Sequence, residues 1–250
     1  MSAKYLNSTV MKTLIRGIYP ARCLVCGDIV SSDFGLCGAC WAEMPFQEGL
    51  TCNSCGAPLI GSSFDSEEIC DACLRHPKPW GRGRAALLYQ GSARRLIMGL
   101  KHSDRTDIAR PAAGWLLNVC QDIIHKDTII ISIPLHWRRH LTRKYNQASL
   151  LAYALSQLSE ADYIPWALKR HVHTPKLDKH SPQEREAIVK DAIEVDHKFI
   201  TRYGNRPILI IDDVMTTGAT LASATRALNA QNIKTVDVAV LARAVFETDF

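Results

Sequence analysis

Apolar residues follow two regimes along this chain, and the change comes near residue 80. Beyond it, short apolar runs alternate with stretches of helical period. Residues 85–89 and 128–133 are compact aliphatic runs of the kind that buried strands show. Helical spacing is read over 93–101, 106–125 and 146–158; in the last of these Ala148, Leu151, Leu155 and Leu158 share a face. Strands are predicted over 164–168 and 207–211, a helix over 219–231, and a final strand over 235–242. Strand and helix in alternation predict an α/β fold whose mainly parallel sheet is covered on both faces. Before residue 80 the pattern is different: short Gly- and Cys-rich segments that could not build a core alone. At the N-terminus Val10, Met11, Leu14, Ile15 and Ile18 line one helical face, which predicts an amphipathic docking segment. Lys12 and Arg16 interrupt it, so it does not read as a signal peptide. The expected plan is an amphipathic segment over 1–22, a cysteine-rich region over 23–75, a Pro-, Gly- and base-rich linker over 76–84, and the α/β domain over 85–250.

Composition adds little to this except at the cysteines and the bases. A hydrophobic content of 47% and a charged content of 22% are those of an ordinary soluble globular protein. No apolar run approaches the roughly 20 residues that span a bilayer, so membrane insertion is not expected. Eight of the nine cysteines form four CxxC pairs: Cys23 with Cys26, Cys37 with Cys40, Cys52 with Cys55, and Cys70 with Cys73. Without a secretory signal, such pairs favour metal ligation in a reducing cytoplasm over a disulfide framework. Eight thiolates satisfy two tetrahedral zinc ions of structural type, and the set resembles a double zinc ribbon. Sequential pairing, four cysteines to each ion, is the simplest arrangement; interleaving stays open. Cys120 stands alone in a helical pattern and is read as core.

The net charge is +5. Residues 134–180 hold eight Lys and Arg against three Asp and Glu, an excess of five that equals that of the whole chain. Such a concentration points to an anionic ligand, a diphosphate or a nucleic-acid backbone. Within it, Arg138, Arg139, Arg143 and Lys144 follow a predicted strand, and a forked guanidinium suits phosphate oxygens.

The sharpest chemical signal begins where the strand over 207–211 ends. Asp212 and Asp213 are followed by Val214 and Met215, then by the hydroxyl-rich turn Thr216, Thr217, Gly218, Ala219, Thr220, which opens a helix. Ligands of open α/β sheets sit at the carboxyl ends of strands. A helix N-terminus offers unpaired N–H groups and a favourable dipole to phosphate there. Gly218 lets the backbone approach, and adjacent carboxylates can accept from neighbouring ribose hydroxyls.

This segment resembles the phosphoribosyl-diphosphate (PRPP) motif of type I phosphoribosyltransferases. The resemblance implies that Asp212 and Asp213 hold the ribose hydroxyls and that Met215, Thr216, Thr217, Gly218, Ala219 and Thr220 hold the 5′-phosphate. It also implies a diphosphate side at Arg138, Arg139, Arg143 and Lys144. The chain as a whole resembles the ComF/GntX family, associated with competence and DNA utilisation. The CxxC pairs lead, and AALLYQGSARRLIMGLK over 85–101 is similar to the family's segment before its sheet. Pro134, Arg138, Arg139, Arg143 and Asn146-Gln147-Ala148 follow, then the PRPP motif and a strand ending Leu241-Ala242-Arg243. The chain departs from the family pattern at Lys144-Tyr145, at Leu177 and at Ile188. The implied cofactors are two zinc ions and Mg2+ accompanying PRPP. Implied partners are PRPP and either single-stranded DNA or a DNA-uptake protein. The reaction implied is displacement of diphosphate from C1 of PRPP by a nitrogen nucleophile, and no residue identifies the acceptor. The rival expectation is a PRPP or nucleotide sensor that does not turn over.

Overall fold

The computed structural model describes residues 19–61, 68–135, 144–170 and 192–245. Residues 1–18 of the amphipathic segment predicted over 1–22, the three arginines at 138, 139 and 143, and Leu177 and Ile188 lie outside them. By contacts the chain forms two units, residues 1–44 and 45–250.

In the first unit an antiparallel bridge joins Arg22 to Ile29 around a tight turn. Gly27 takes φ +82° there, and its N–H bonds the Cys23 carbonyl at 3.0 Å. The short helix α1 (Gly38–Ala42) follows, with Cys37 as its N-cap.

The second unit repeats this local design and then builds the sheet. Thr51 bridges Pro58, Gly56 takes φ +67°, and Cys70 precedes the short helix α2 (Asp71–Arg75). Next come β1 (Gly83–Leu88), α3 (Gly91–His102), a single 3-10 turn (Thr106–Ile108), and α4 (Ala109–Val119). The central strand β2 (Ile129–Ser132) leads to α5 (Gln147–Ser159), whose N-cap Asn146 accepts from the Ala148 N–H. Short strands β3 (Asp162–Tyr163), β4 (Leu168–Arg170) and β5 (Ile193–Val195) follow. The chain then forms α6 (His197–Tyr203), β6 (Ile208–Met215), α7 (Ala219–Ala230) and β7 (Val236–Arg243).

Five strands form one sheet in the order β1-β7-β6-β2-β3, every pair parallel; β4 and β5 form a separate antiparallel pair. Ile129, Ile130, Ile131 and Ile208 to Ile211 are buried throughout, as central strands covered on both faces must be. The α/β expectation with a mainly parallel sheet therefore holds.

Two local expectations need correction. The strand expected over 164–168 is a turn that separates β3 from β4, because Pro165 has no N–H for a ladder. The helix expected to reach residue 125 stops at Val119, with Cys120 as its cap; Asp122, beyond it, ion-pairs with Arg84 at 2.5 Å. Residues 76–84, expected as a linker, are instead pinned to the sheet. Gly81 N–H bonds the Val236 carbonyl at 2.9 Å, Arg82 N–H bonds Asp237 at 2.7 Å, and Trp80 is buried.

Candidate functional site

After β2 the chain turns toward β3, and after β6 it turns the other way, toward β7. The crevice between β2 and β6 is thus a topological switch point, where open parallel sheets place ligands at the carboxyl ends of their strands. Residues 212–221 lie at that end of β6.

Continued pairing with β7 carries β6 four residues beyond its apolar run: Asp212 pairs with Val240, and Met215 with Arg243. The chain then turns through Gly218, at φ +80°, into α7. The first turn of α7 carries no acidic residue, so its positive dipole end is left for an external anion. An open, shallow hollow lies there, lined by Asp212 and by residues 214–221. Asp212, Met215, Thr216, Thr217, Gly218, Ala219 and Thr220, all expected from the sequence, converge on it.

Asp213 stands apart from the others. Alternation along the strand turns it away from Asp212, and it does not line the hollow. Its carboxylate pairs with Lys101 at the end of α3, Nζ to Oδ2 3.1 Å, with both side chains largely buried. Its N–H donates to Oδ1 of Asp212 at 2.8 Å. Burial, joined by the charge of Asp213, pushes the Asp212 carboxyl up to about 7, against the opposing pull of Lys101 and Arg170. A raised carboxyl at the end of a sheet is one feature of a candidate ligand site.

The loop is braced from behind. The Arg243 guanidinium, buried at the end of β7, donates to the carbonyls of Thr216 at 2.6 Å and Ala244. Lys78 donates to the Thr217 carbonyl at 3.2 Å. Within the loop the Ala219 N–H reaches the Thr217 hydroxyl at 3.4 Å. Of the expected diphosphate side, Lys144 is exposed and ion-paired with Asp104. Just past β2, the Ile133 N–H bonds the Ile211 carbonyl of β6 at 3.0 Å. Sequence reasoning assigned no role to Lys101, Arg243, Lys78 or Trp80. A charged residue closing an apolar run, as Arg243 does after residues 238–242, was the available signal for one of them.

The cysteines gather into two clusters, Cys23, Cys26, Cys37, Cys40 and Cys52, Cys55, Cys70, Cys73, each with its ligand atoms within 4.8 Å of one another. Pairing is therefore sequential, and interleaving is ruled out. Sγ of Cys26 and Cys37 lie 3.7 Å apart, and Sγ of Cys55 and Cys70 3.8 Å. A tetrahedron with metal–sulfur bonds of about 2.3 Å has edges of about 3.8 Å, whereas a disulfide requires about 2.05 Å. Backbone N–H groups point at the sulfurs in the same way in both clusters: Cys37 N to Cys23 Sγ and Cys70 N to Cys52 Sγ, both 3.3 Å. The two four-cysteine sites fit two structural zinc ions. Cys120 belongs to neither cluster; it is buried, and burial pushes its thiol up, as a core residue's should be.

A parallel sheet with this loop, behind two thiolate sites, defines a phosphoribosyltransferase-like domain joined to zinc ribbons. Residues 14–74 match the double zinc ribbon domain family, and residues 171–246 the phosphoribosyl transferase domain family. The chain is 30% identical to the DNA utilization protein YhgH of Shigella flexneri over 233 residues, covering 90% of this chain and 97% of that protein. It is 27% identical to Competence protein F of Haemophilus influenzae over 229 residues, covering 89% and 97%. Competence protein ComFC of Bacillus subtilis is similar at 25% over 226 residues, covering 85% and 90%. The chain belongs to the ComF family of competence and DNA utilisation proteins.

Proposed function

We propose that the chain binds PRPP at the end of β6 and acts as a phosphoribosyltransferase-like protein in competence or in the use of internalised DNA and its nucleotides. The observation that carries this reading is the hollow lined by Asp212 and residues 214–221, with helix α7 opening onto it. The 5′-phosphate takes the amides and hydroxyls of residues 215–220, and the ribose hydroxyls take the carboxylates at 212 and 213. Because Asp213 is held by Lys101, it becomes available only when that pair opens. Carboxylate oxygens at the rim suit Mg2+, which travels with a diphosphate and neutralises it as it leaves. Lys101, freed from Asp213, supplies a further cation to the same diphosphate. The reaction class is transfer of the 5-phosphoribosyl group with release of diphosphate, within a reducing cytoplasm.

Calorimetric titration of PRPP with Mg2+ tests the reading. Wild-type protein binds, and Asp212→Asn with Asp213→Asn lowers the affinity about a hundredfold or more, since each lost bond to a charged group is worth roughly 1.5–3 kcal/mol. Equal binding by the double variant sinks the assignment. Diphosphate release across a panel of amines and bases then separates a transferase from a sensor.

A second reading, weak binding of single-stranded DNA, draws on the printed names of the relatives and on the basic excess over 134–180. Such binding must weaken steeply with salt.

A further inference from the structure

The second four-cysteine site and the phosphate loop share a wall, and the wall is one residue. Trp80 is 5% exposed. Its Nε1–H donates to the Ser54 carbonyl at 2.7 Å, and Ser54 sits inside the Cys52–Cys55 knuckle. The far edge of the same indole lies against Gly218: a Cβ placed there would stand 2.9 Å from the ring. Neighbouring residues fix this strap at both ends. Lys78 holds the Thr217 carbonyl, Pro79 accepts from Asn229 of α7 at 3.1 Å, and Gly83 N–H bonds the Asn53 carbonyl at 2.8 Å. Cys52, Cys55, Cys70, Cys73, Trp80, Met215 and Leu221 all belong to one buried cluster.

We propose that Trp80 couples the second zinc site to the phosphate loop, so that metal in one and a phosphate ligand in the other each tighten the binding of the other. The inference rests on the loop being the phosphate site proposed above. The physical link is short. A knuckle closed on its metal presents the Ser54 carbonyl to the indole, and the indole then backs the left-handed turn at Gly218 whose amides meet the phosphate. A knuckle without metal has four sulfurs crowded together with no ion to hold them, and it relaxes. The buried indole N–H then loses its acceptor, and the ring loses its fixed place behind the loop. Coupling of this kind is reciprocal: the factor by which metal improves ligand affinity equals the factor by which ligand improves metal retention. Among the described residues of its own unit the first site has no such strap, which makes it an internal control.

The test uses the full zinc-loaded chain, a chromogenic chelator, and ribose 5-phosphate, which carries the phosphate without a diphosphate that would bind metal. Zinc loss runs in two phases, because Cys26 of the first site is exposed whereas all four cysteines of the second are buried. Saturating ribose 5-phosphate slows only the slow phase, by about fivefold or more. Trp80→Phe keeps a ring but deletes the N–H; it retains two zinc ions and loses most of that dependence. Parallel calorimetry separates the two layers of the argument. Ligand bound with an unchanged slow phase, or Trp80→Phe with full dependence, overturns the coupling alone. No binding of ribose 5-phosphate or PRPP overturns both the coupling and the reading beneath it.

Discussion

Asp212 is a carboxyl that the fold holds against its preference, and this has a measurable consequence for stability. Its folded pKa stands near 7, whereas an unfolded Asp titrates near 4. Between those limits the folded state holds more protons on this group than the unfolded state does. The contribution is therefore complete below the lower limit and is lost as pH rises through the upper one. Asp212→Asn should be more stable than the wild type at about pH 8.5, on the order of 1–3 kcal/mol, with a difference that shrinks toward about pH 6. Thermal unfolding across that range, where thiolate sites keep their zinc, checks it; a difference independent of pH removes the argument. Gain of stability with loss of PRPP binding is the signature of a residue kept for its ligand. The sequence showed this aspartate and its neighbour as an adjacent pair. It did not show that strand alternation separates them, or that Lys101, more than a hundred residues earlier, holds Asp213. A local run can be read from the chain alone, whereas an ion pair between distant segments exists only once the sheet has formed.

At the scale of elements, the loop between β6 and α7 is held by backbone geometry. Gly218 takes φ +80° and has the Trp80 ring 2.9 Å from where a Cβ would be. Gly218→Ala adds left-handed strain to a clash with a buried ring, so a loss of about 2 kcal/mol or more is expected, together with loss of ribose 5-phosphate binding. Gly114→Ala is the contrast. It lies in α4 with nothing within 4 Å of its added methyl, and should be neutral or stabilising by up to about 1 kcal/mol. Denaturant unfolding of both variants decides the matter; equal effects would mean that the turn is not constrained. Such elements were legible in proportion to their length. β6, β7, α5 and α7 announced themselves through sustained apolar period. β5 and α6, three and seven residues long, lack enough turns to show one. The segment 76–84 carries linker composition, yet Gly81 and Gly83 serve close approach to β7 and the knuckle.

By contacts the whole molecule divides between Met44 and Pro45. The repeat of knuckle, short helix and N–H to sulfur contact was foreshadowed by the CxxC spacing. The packing of the second copy into the sheet's core was not, since thiolates count as metal ligands before they count as core. Reduced protein is expected to carry two equivalents of zinc by elemental analysis, and Cys120→Ser should leave that number unchanged. Well under two equivalents in folded protein would contradict the two thiolate clusters. The sheet order has one more consequence, in the time domain. β1 has β7 as its strand neighbour, with Gly83 opposite Val238. The two partners are 238 − 83 = 155 residues apart, so a ribosome adding roughly 5–20 residues per second leaves β1 without that neighbour for about 8–30 s. For that interval Gly83–Leu88 is an aliphatic strand with a bare edge, and the knuckle at Cys52 and Cys55, whose Asn53 carbonyl takes the Gly83 N–H, is native surface already made before it. A cell short of zinc should therefore lose this protein first during its synthesis, as nascent chains that aggregate, before the mature molecules fail.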